Sequence, residues 1–354
     1  MRSFVTIGLF VLVGLIAAIL IGFPLHTSKP LPYDAEQAGL KDRIVIKFNH
    51  VVAENTPKGL AAERFAKLVR ERLSDRVEVQ VYPNGILYSD KHELDALSRG
   101  DIQMIAPSFS NLTNAFPSWK AFDLPFAFPN QQAVDEALQG EIGKQLLGEL
   151  TNANMKGISF WNNGFKQVTS AQRPLIHPAD FAGQTFRILP SEVLEQQFHA
   201  FGAQTSMMPF TEVYHSVVRG DVDGQENTIS NIYSKRLYQV QRYMTISNHG
   251  YLGYAVIVNR SFWEGLPADI RRELELILAE TTEWNRVLAQ QLNDQQLMHI
   301  KKSGLMDIHQ LTIEEREEWL KKLAPIYEQV EQEVGAPLLA QIKSLRHKYD
   351  THSP

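Results

Sequence analysis

The sequence predicts an α/β protein with room for two domains. Its 354 residues exceed the usual single domain and supply two hydrophobic cores. Residues 43–107 alternate strand-like and helix-like runs, the rhythm of a parallel sheet packed by helices. Near the C-terminus a helical pattern of more than 30 residues is long enough to run across both domains.

RIVIKFNHV, residues 43–51, reads as a strand because apolar residues alternate with Lys47 and Asn49. AENTPKG then leads into a helix whose apolar face carries Leu60, Phe65, Leu68 and Val69. VEVQVY is a second strand, HELDALSRG a short helix stopped by glycine, and IQMIAPS a buried-type strand. In such a sheet ligands sit beyond the carboxyl ends of the strands, here Asn49–His50 and Pro107–Ser108. WKAFDLPFAFPN is a proline-punctuated aromatic brace, followed by a helix over about 131–152.

The stretch from 160 to 227 organises the remainder. Arg187 stands between Phe186 and Ile188 in the strand GQTFRIL, and Lys166 sits in a similar strand-like run. A cation among apolar side chains costs desolvation energy unless an anion meets it. The amides Asn162, Asn163 and Asn227 lie near turn glycines, and Phe210 follows a proline. Together they suggest a pocket for a small anion. SEVLEQQFHAFGA reads as a helix capped by Ser191, and FTEVYHSVVRG as one capped by Thr211. NHGYLGYAVIVNRSFW returns as a strand. The long helix follows over about 267–304, with Ile270, Leu274, Ile277, Trp284, Leu288 and Leu292 on its buried face. Thr312 opens a final helix with the capped acidic start TIEEREEW.

Composition narrows the function. A net charge of -5 leaves no basic surplus for phosphates, so no nucleic-acid partner is expected. With no cysteine there is no disulfide, thiol catalysis or Cys-ligated zinc. No nucleophile elbow, zinc-protease motif, P-loop or dinucleotide fingerprint occurs, so no enzyme and no cofactor are expected. Asp221, Asp223 and Glu226 lack calcium-loop spacing, and no metal is expected. After Arg2 the run SFVTIGLFVLVGLIAAILIGF carries no charge; it reads as an export signal or a retained N-terminal anchor, followed by a proline-bearing tether.

Several strings then make the chain familiar: KFNHVVAENTPKG, YPNGILYSDKHEL, FDLPFAF, FWNNGFKQVTS, PFTEVYHSV, VDGQEN and SNHGYLGYAVIVNRSFWEGLPADIR. Over roughly residue 44 to the final helix it resembles the substrate-binding proteins of tripartite ATP-independent periplasmic (TRAP) transporters, the DctP family, and among them the type that takes C4-dicarboxylates. The resemblance implies a two-lobe periplasmic-binding-protein fold with crossing hinge strands and a long helix spanning both lobes. Residues 1–40 would be signal or anchor plus tether. Lobe I would comprise 41–163 and 254–292, and lobe II 164–253 and 293–350. It also implies a periplasmic protein that captures succinate, fumarate or malate and delivers it to the small and large membrane permease subunits. A membrane-tethered sensor partner with the same fold is the alternative.

By the same resemblance Arg187 is the arginine that forms the carboxylate salt bridge, and Lys166 the second basic position. Asn227 closes VDGQEN, Phe210 is the aromatic wall, and His249 is the histidine of SNHGYLGY. Asn49, His50 and Ser108 are contacts of the opposing lobe. From the residues alone, Arg187 reads equally as half of a structural ion pair, Lys166 and Lys58 as solvated lysines, and the two histidines as structural hydrogen bonders. Thr228 stands where the family usually carries proline, which is expected to loosen that turn.

Overall fold

The computed structural model describes residues 12–15 and 43–350. Residues 12–15 form a short helical stretch. The rest of the apolar N-terminal run and the tether, on which the signal or anchor expectation falls, lie outside the described residues. No helix among the described residues is long and apolar enough to cross a membrane.

Residues 44–350 are built on one mixed sheet. The strands are β1 (Ile44–Asn49), β2 (Val77–Tyr82), β3 (Met104–Ile105), β4 (Met155–Ser170), β5 (Thr185–Ile188), β6 (Gln204–Met207), β7 (Gly224–Thr228), β8 (Tyr243–Asn259) and β9 (Asp307–Gln310). They run in the order β2-β1-β3-β8-β4-β7-β5-β6, and β9 pairs with β8. Both ends are parallel, β1 with β2 and β3, and β5 with β6 and β7. The middle is antiparallel, which the strand–helix rhythm did not reveal.

The middle is where the two ends are joined. β4 and β8 are 16 and 17 residues long and pair over most of their length. The C-terminal end of β8 pairs with β3, its N-terminal end with β9, and the C-terminal end of β4 with β7. Their register shifts between Gly157 and Ser159, between Asn162 and Gly164, and again between Lys166 and Val168. Gly164 permits the second shift. Its φ is 142°, and a Cβ there would lie 2.9 Å from the Asn293 amide nitrogen.

The helices are α1 (Pro57–Leu73), α2 (Glu93–Arg99), α3 (Gln131–Gln139), α4 (Glu141–Glu149), α5 (Glu192–Ala200), α6 (Val213–Arg219), α7 (Ile229–Ser234), α8 (Arg260–Gly265), α9 (Ala268–Ser303), α10 (Ile313–Val334) and α11 (Ala336–Tyr349). α1 starts where Thr56 accepts from the Gly59 N–H and Pro57 takes the first turn, and it buries Phe65, Leu68 and Val69. α10 opens with the expected capping box between Thr312 and Glu315.

Several expected elements divide or shift. The helix over 131–152 breaks at Gly140 into α3 and α4, and the final helix breaks at Gly335, whose φ is 86°. Ser191 makes no side-chain cap bond, and Thr211 lies inside a 3₁₀ turn, Phe210–Glu212, that precedes α6. RSFW belongs to α8 and not to the strand. The aromatic segment is a brace as expected, with Trp119, Phe122, Phe126 and Phe128 buried.

α9 shows the same kind of shift in its buried face. Ile270, Leu274 and Ile277 are buried, each contributing about 1.5–3 kcal/mol if fully removed from water. Farther along, Trp284, Leu288 and Leu292 are only half-buried, and the inner face passes to Thr281, Asn285 and Ala289. Asn285 accepts from the Asn162 N–H (2.6 Å) and donates to the Pro57 carbonyl (3.2 Å). Asn293 donates to the Asn163 carbonyl (2.6 Å) and accepts from the Ser230 N–H (2.9 Å). The helix thus holds the crossing strands by amides where the backbone is irregular and apolar packing is weak.

Candidate functional site

β5 carries Arg187 into the interior. Its side chain is fully buried, and Nε and Nη2 donate to the Met208 carbonyl at 3.2 and 2.9 Å. Met208 follows β6, the parallel neighbour of β5, so the local fold fixes one edge of the guanidinium. Nη1 has no hydrogen-bond partner among the described residues. Burial lowers the guanidinium pKa, opposed by the charges of Asp90 and Glu226, yet arginine stays protonated under any ordinary condition. The Phe210 ring lies 5.8 Å from the guanidinium carbon and covers one side of it.

A small cavity adjoins this group. Its wall brings together Arg187, Phe210, Asn227 and Ser108, four of the eight expected site residues. Asn227 accepts through Oδ1 from Asn231 Nδ2 (2.7 Å) and the Thr228 N–H (3.1 Å), which leaves its Nδ2 as a donor. The Ser108 hydroxyl has no partner among the described residues. Val51, Val52, Leu189 and Leu252 make the apolar part of the wall.

Lys58 joins the same wall, which corrects its reading as a solvated side chain. It is 1% exposed, donates to the Ala106 carbonyl (2.8 Å), and places its ammonium 3.8 Å from the Tyr254 ring centre. Burial lowers its pKa, while Glu93 and Asp90 act the other way. Burial likewise raises the Glu93 carboxyl, and Lys58 opposes that. Asp90, Asn111, Asn231 and Tyr254 also line the cavity, and sequence reasoning missed them. Asp90 sits in a loop that reads as a plain helix approach. Its partner, the Phe210 N–H that donates to Oδ2 at 3.1 Å, lies 120 residues away.

The other four expected residues do not line this cavity. Lys166 donates to Glu226 Oε1 at 2.8 Å, with both side chains 1% exposed. His249 Nε2 lies 2.9 Å from Glu226 Oε2, and its Nδ1 lies 2.8 Å from the Ser247 hydroxyl. Lysine and histidine are therefore already occupied by one buried acid. Burial would raise the Glu226 carboxyl, but Lys166 and His249 overcome this and hold it at about 2. Asn49 donates to the Tyr88 carbonyl (3.0 Å) and to Glu93 Oε2 (3.1 Å), which makes it a bracket for α2. His50 is buried edge-on to Phe48; burial and the Lys58 charge push its pKa down to about 3, so it stays neutral.

Thr228 does not loosen its turn. It caps α7 by accepting from the Asn231 N–H (3.4 Å), and Asn163 Nδ2 donates to the same hydroxyl at 2.8 Å. The acidic trio separates: Glu226 joins Lys166, Asp221 pairs with Arg219, and Asp223 accepts from the Thr185 N–H. A larger space of about 990 Å³ borders Gly164, Asn248 and Asn293 but has no cation in its wall. Several of its amides are already paired with protein groups, so it offers an anion little.

Two buried cations on the wall of one small cavity define the class: a binder of small anionic solutes. The chain belongs to the DctP family, the bacterial extracellular solute-binding proteins of family 7, whose profile matches residues 48–333. It is 46% identical over 347 residues to the C4-dicarboxylate-binding protein DctB of Bacillus subtilis strain 168, covering 98% of this chain and 99% of that one. Among solved structures it is similar to a TRAP periplasmic solute-binding protein from Shewanella oneidensis with bound succinate. That match has a TM-score of 0.84 and 38% identity, over 86% of this chain and 99% of the other. A TRAP periplasmic solute-binding protein from Pseudomonas aeruginosa PAO1 with bound L-malate matches with a TM-score of 0.78 and 38% identity, over 81% and 99%.

Proposed function

We propose that this protein captures C4-dicarboxylates such as succinate, fumarate and malate in the periplasm and delivers them to the small and large membrane subunits of a TRAP transporter. The observation that carries this reading is Arg187: a fully buried guanidinium beside a cavity, with its Nη1 unpartnered among the described residues. The free Nη1/Nη2 edge suits one carboxylate in two parallel charge-assisted bonds, and Asn227 Nδ2 adds a third. Lys58 and Ser108 meet the second carboxylate. Phe210 excludes water and so strengthens each charge pair.

Lys166 and His249 act at one remove in this proposal. They anchor Glu226, the residue before Asn227 on β7, and so fix where that amide stands. Residues 41–163 with 254–292, and 164–253 with 293–350, act as two lobes that close about β4 and β8. The Asp90–Phe210 hydrogen bond joins the two across the cavity. The apolar N-terminus directs export, as a cleaved signal or as an anchor.

Differential scanning of the purified protein against four-carbon diacids tests the reading. A raised melting temperature with succinate, fumarate or L-malate, absent with glutarate-length monoacids and absent in Arg187→Ala, is the expected result. No shift with any four-carbon diacid would refute it.

A further inference from the structure

The cavity wall is not a plain cradle for two carboxylates, because it contains an acid. Asp90 lines it, 9% exposed, and its charge acts on both Lys58 and Arg187. Oδ2 is occupied by the Phe210 N–H, whereas Oδ1 is buried without a hydrogen-bond partner among the described residues. Close by on the same wall, Asn231 presents a second such acceptor. Its Nδ2 donates to Asn227 Oδ1, which fixes the amide so that Oδ1 is the atom left over. Asn111 Oδ1 is a third such acceptor, and Arg187 Nη1 and the Ser108 hydroxyl make the set mixed in donors and acceptors.

A dicarboxylate dianion carries acceptors alone. Its oxygens suit Arg187, Lys58, Ser108 and Asn227, but nothing on succinate or fumarate donates to Asp90 Oδ1. A buried acceptor left unpaired costs free energy, and a carboxylate facing a dianion adds repulsion. A hydroxyl on the ligand carbon chain removes the first cost by donating to Asp90. We infer that Asp90 is a specificity-determining residue that selects four-carbon diacids bearing a hydroxyl, as in malate, over the unsubstituted diacids. The inference rests on the dicarboxylate reading above and names the feature of the ligand that the wall discriminates.

The test is calorimetric titration at neutral pH, where all the ligands are dianions, using L-malate, succinate and 2-fluorosuccinate. Fluorine adds bulk and polarity at the hydroxyl position but cannot donate. The wild type should bind L-malate about tenfold or more tightly than either of the others, the scale of one hydrogen bond to a charged group. Asp90→Asn keeps an oxygen for the Phe210 N–H while removing the charge. It should bind succinate more tightly than the wild type does and narrow the malate preference by about tenfold. Equal changes in affinity for malate and succinate would overturn the inference and leave Asp90 as a clasp between Phe210 and its own loop. A wild type that does not prefer malate to 2-fluorosuccinate would overturn it without any variant, so a poorly folding Asp90→Asn leaves the question decidable. If the wild type bound none of the three, the dicarboxylate reading itself would fail, an outcome distinct from loss of selectivity.

Discussion

Lys166 and Arg187 begin as the same kind of residue and end in opposite circumstances. Each is a cation on a strand, and each is almost wholly buried. Lys166 meets Glu226 at 2.8 Å, and His249 closes on the other oxygen of the same acid. Arg187 meets only a main-chain carbonyl and a cavity. A buried charge that the protein has itself neutralised holds structure together. One left unneutralised at a cavity is poised for a charge from outside.

The largest effect that would sharpen the contrast is on stability. Lys166→Met strands Glu226 in the interior and should cost about 3–5 kcal/mol, read as a lowered denaturation midpoint. An unchanged midpoint would mean that the triad is not structural. Acid provides a second probe of the same group. With its folded pKa at about 2 against an ordinary carboxyl near 4.5, Glu226 contributes stability that is complete above pH 4.5 and lost as pH falls toward 2. His50, held neutral down to about pH 3, adds a loss that begins nearer pH 6.5, because the unfolded chain takes up that proton first. Melting temperature followed from pH 7 to 3 should therefore fall in two stages. His50→Gln should flatten the upper stage and Glu226→Gln the lower. A smaller effect is expected at the cap: Thr228→Ala should cost about 1 kcal/mol, through α7 and not through the ligand.

Arg187 was legible in the sequence because isolation among Phe186, Ile188 and Leu189 is a local signal. The strand–helix rhythm of β1 to β3 and the length of α9 were legible for the same reason. What defines the Lys166 site is not local. Glu226 lies 60 residues away and arrives by the antiparallel pairing of β4 with β7. Lys58 looked solvated because it opens an amphipathic helix, and only the approach of Tyr254 and Ala106 buries it. Asp90 was invisible for a similar reason, its partner being 120 residues distant. The breaks at Gly140 and Gly335 were readable as residues, but helical periodicity on both sides concealed them.

The account turns on whether the Arg187 guanidinium takes its counter-charge from the ligand. Titration of Arg187→Ala with succinate, alongside the melting temperature of the ligand-free variant, tests this most directly. The predicted result is an affinity loss of about thirtyfold or more, from the 2–5 kcal/mol of a buried charge pair, with little loss of stability in the free protein. Wild-type affinity in the variant, or collapse of the free protein with binding intact, would contradict it.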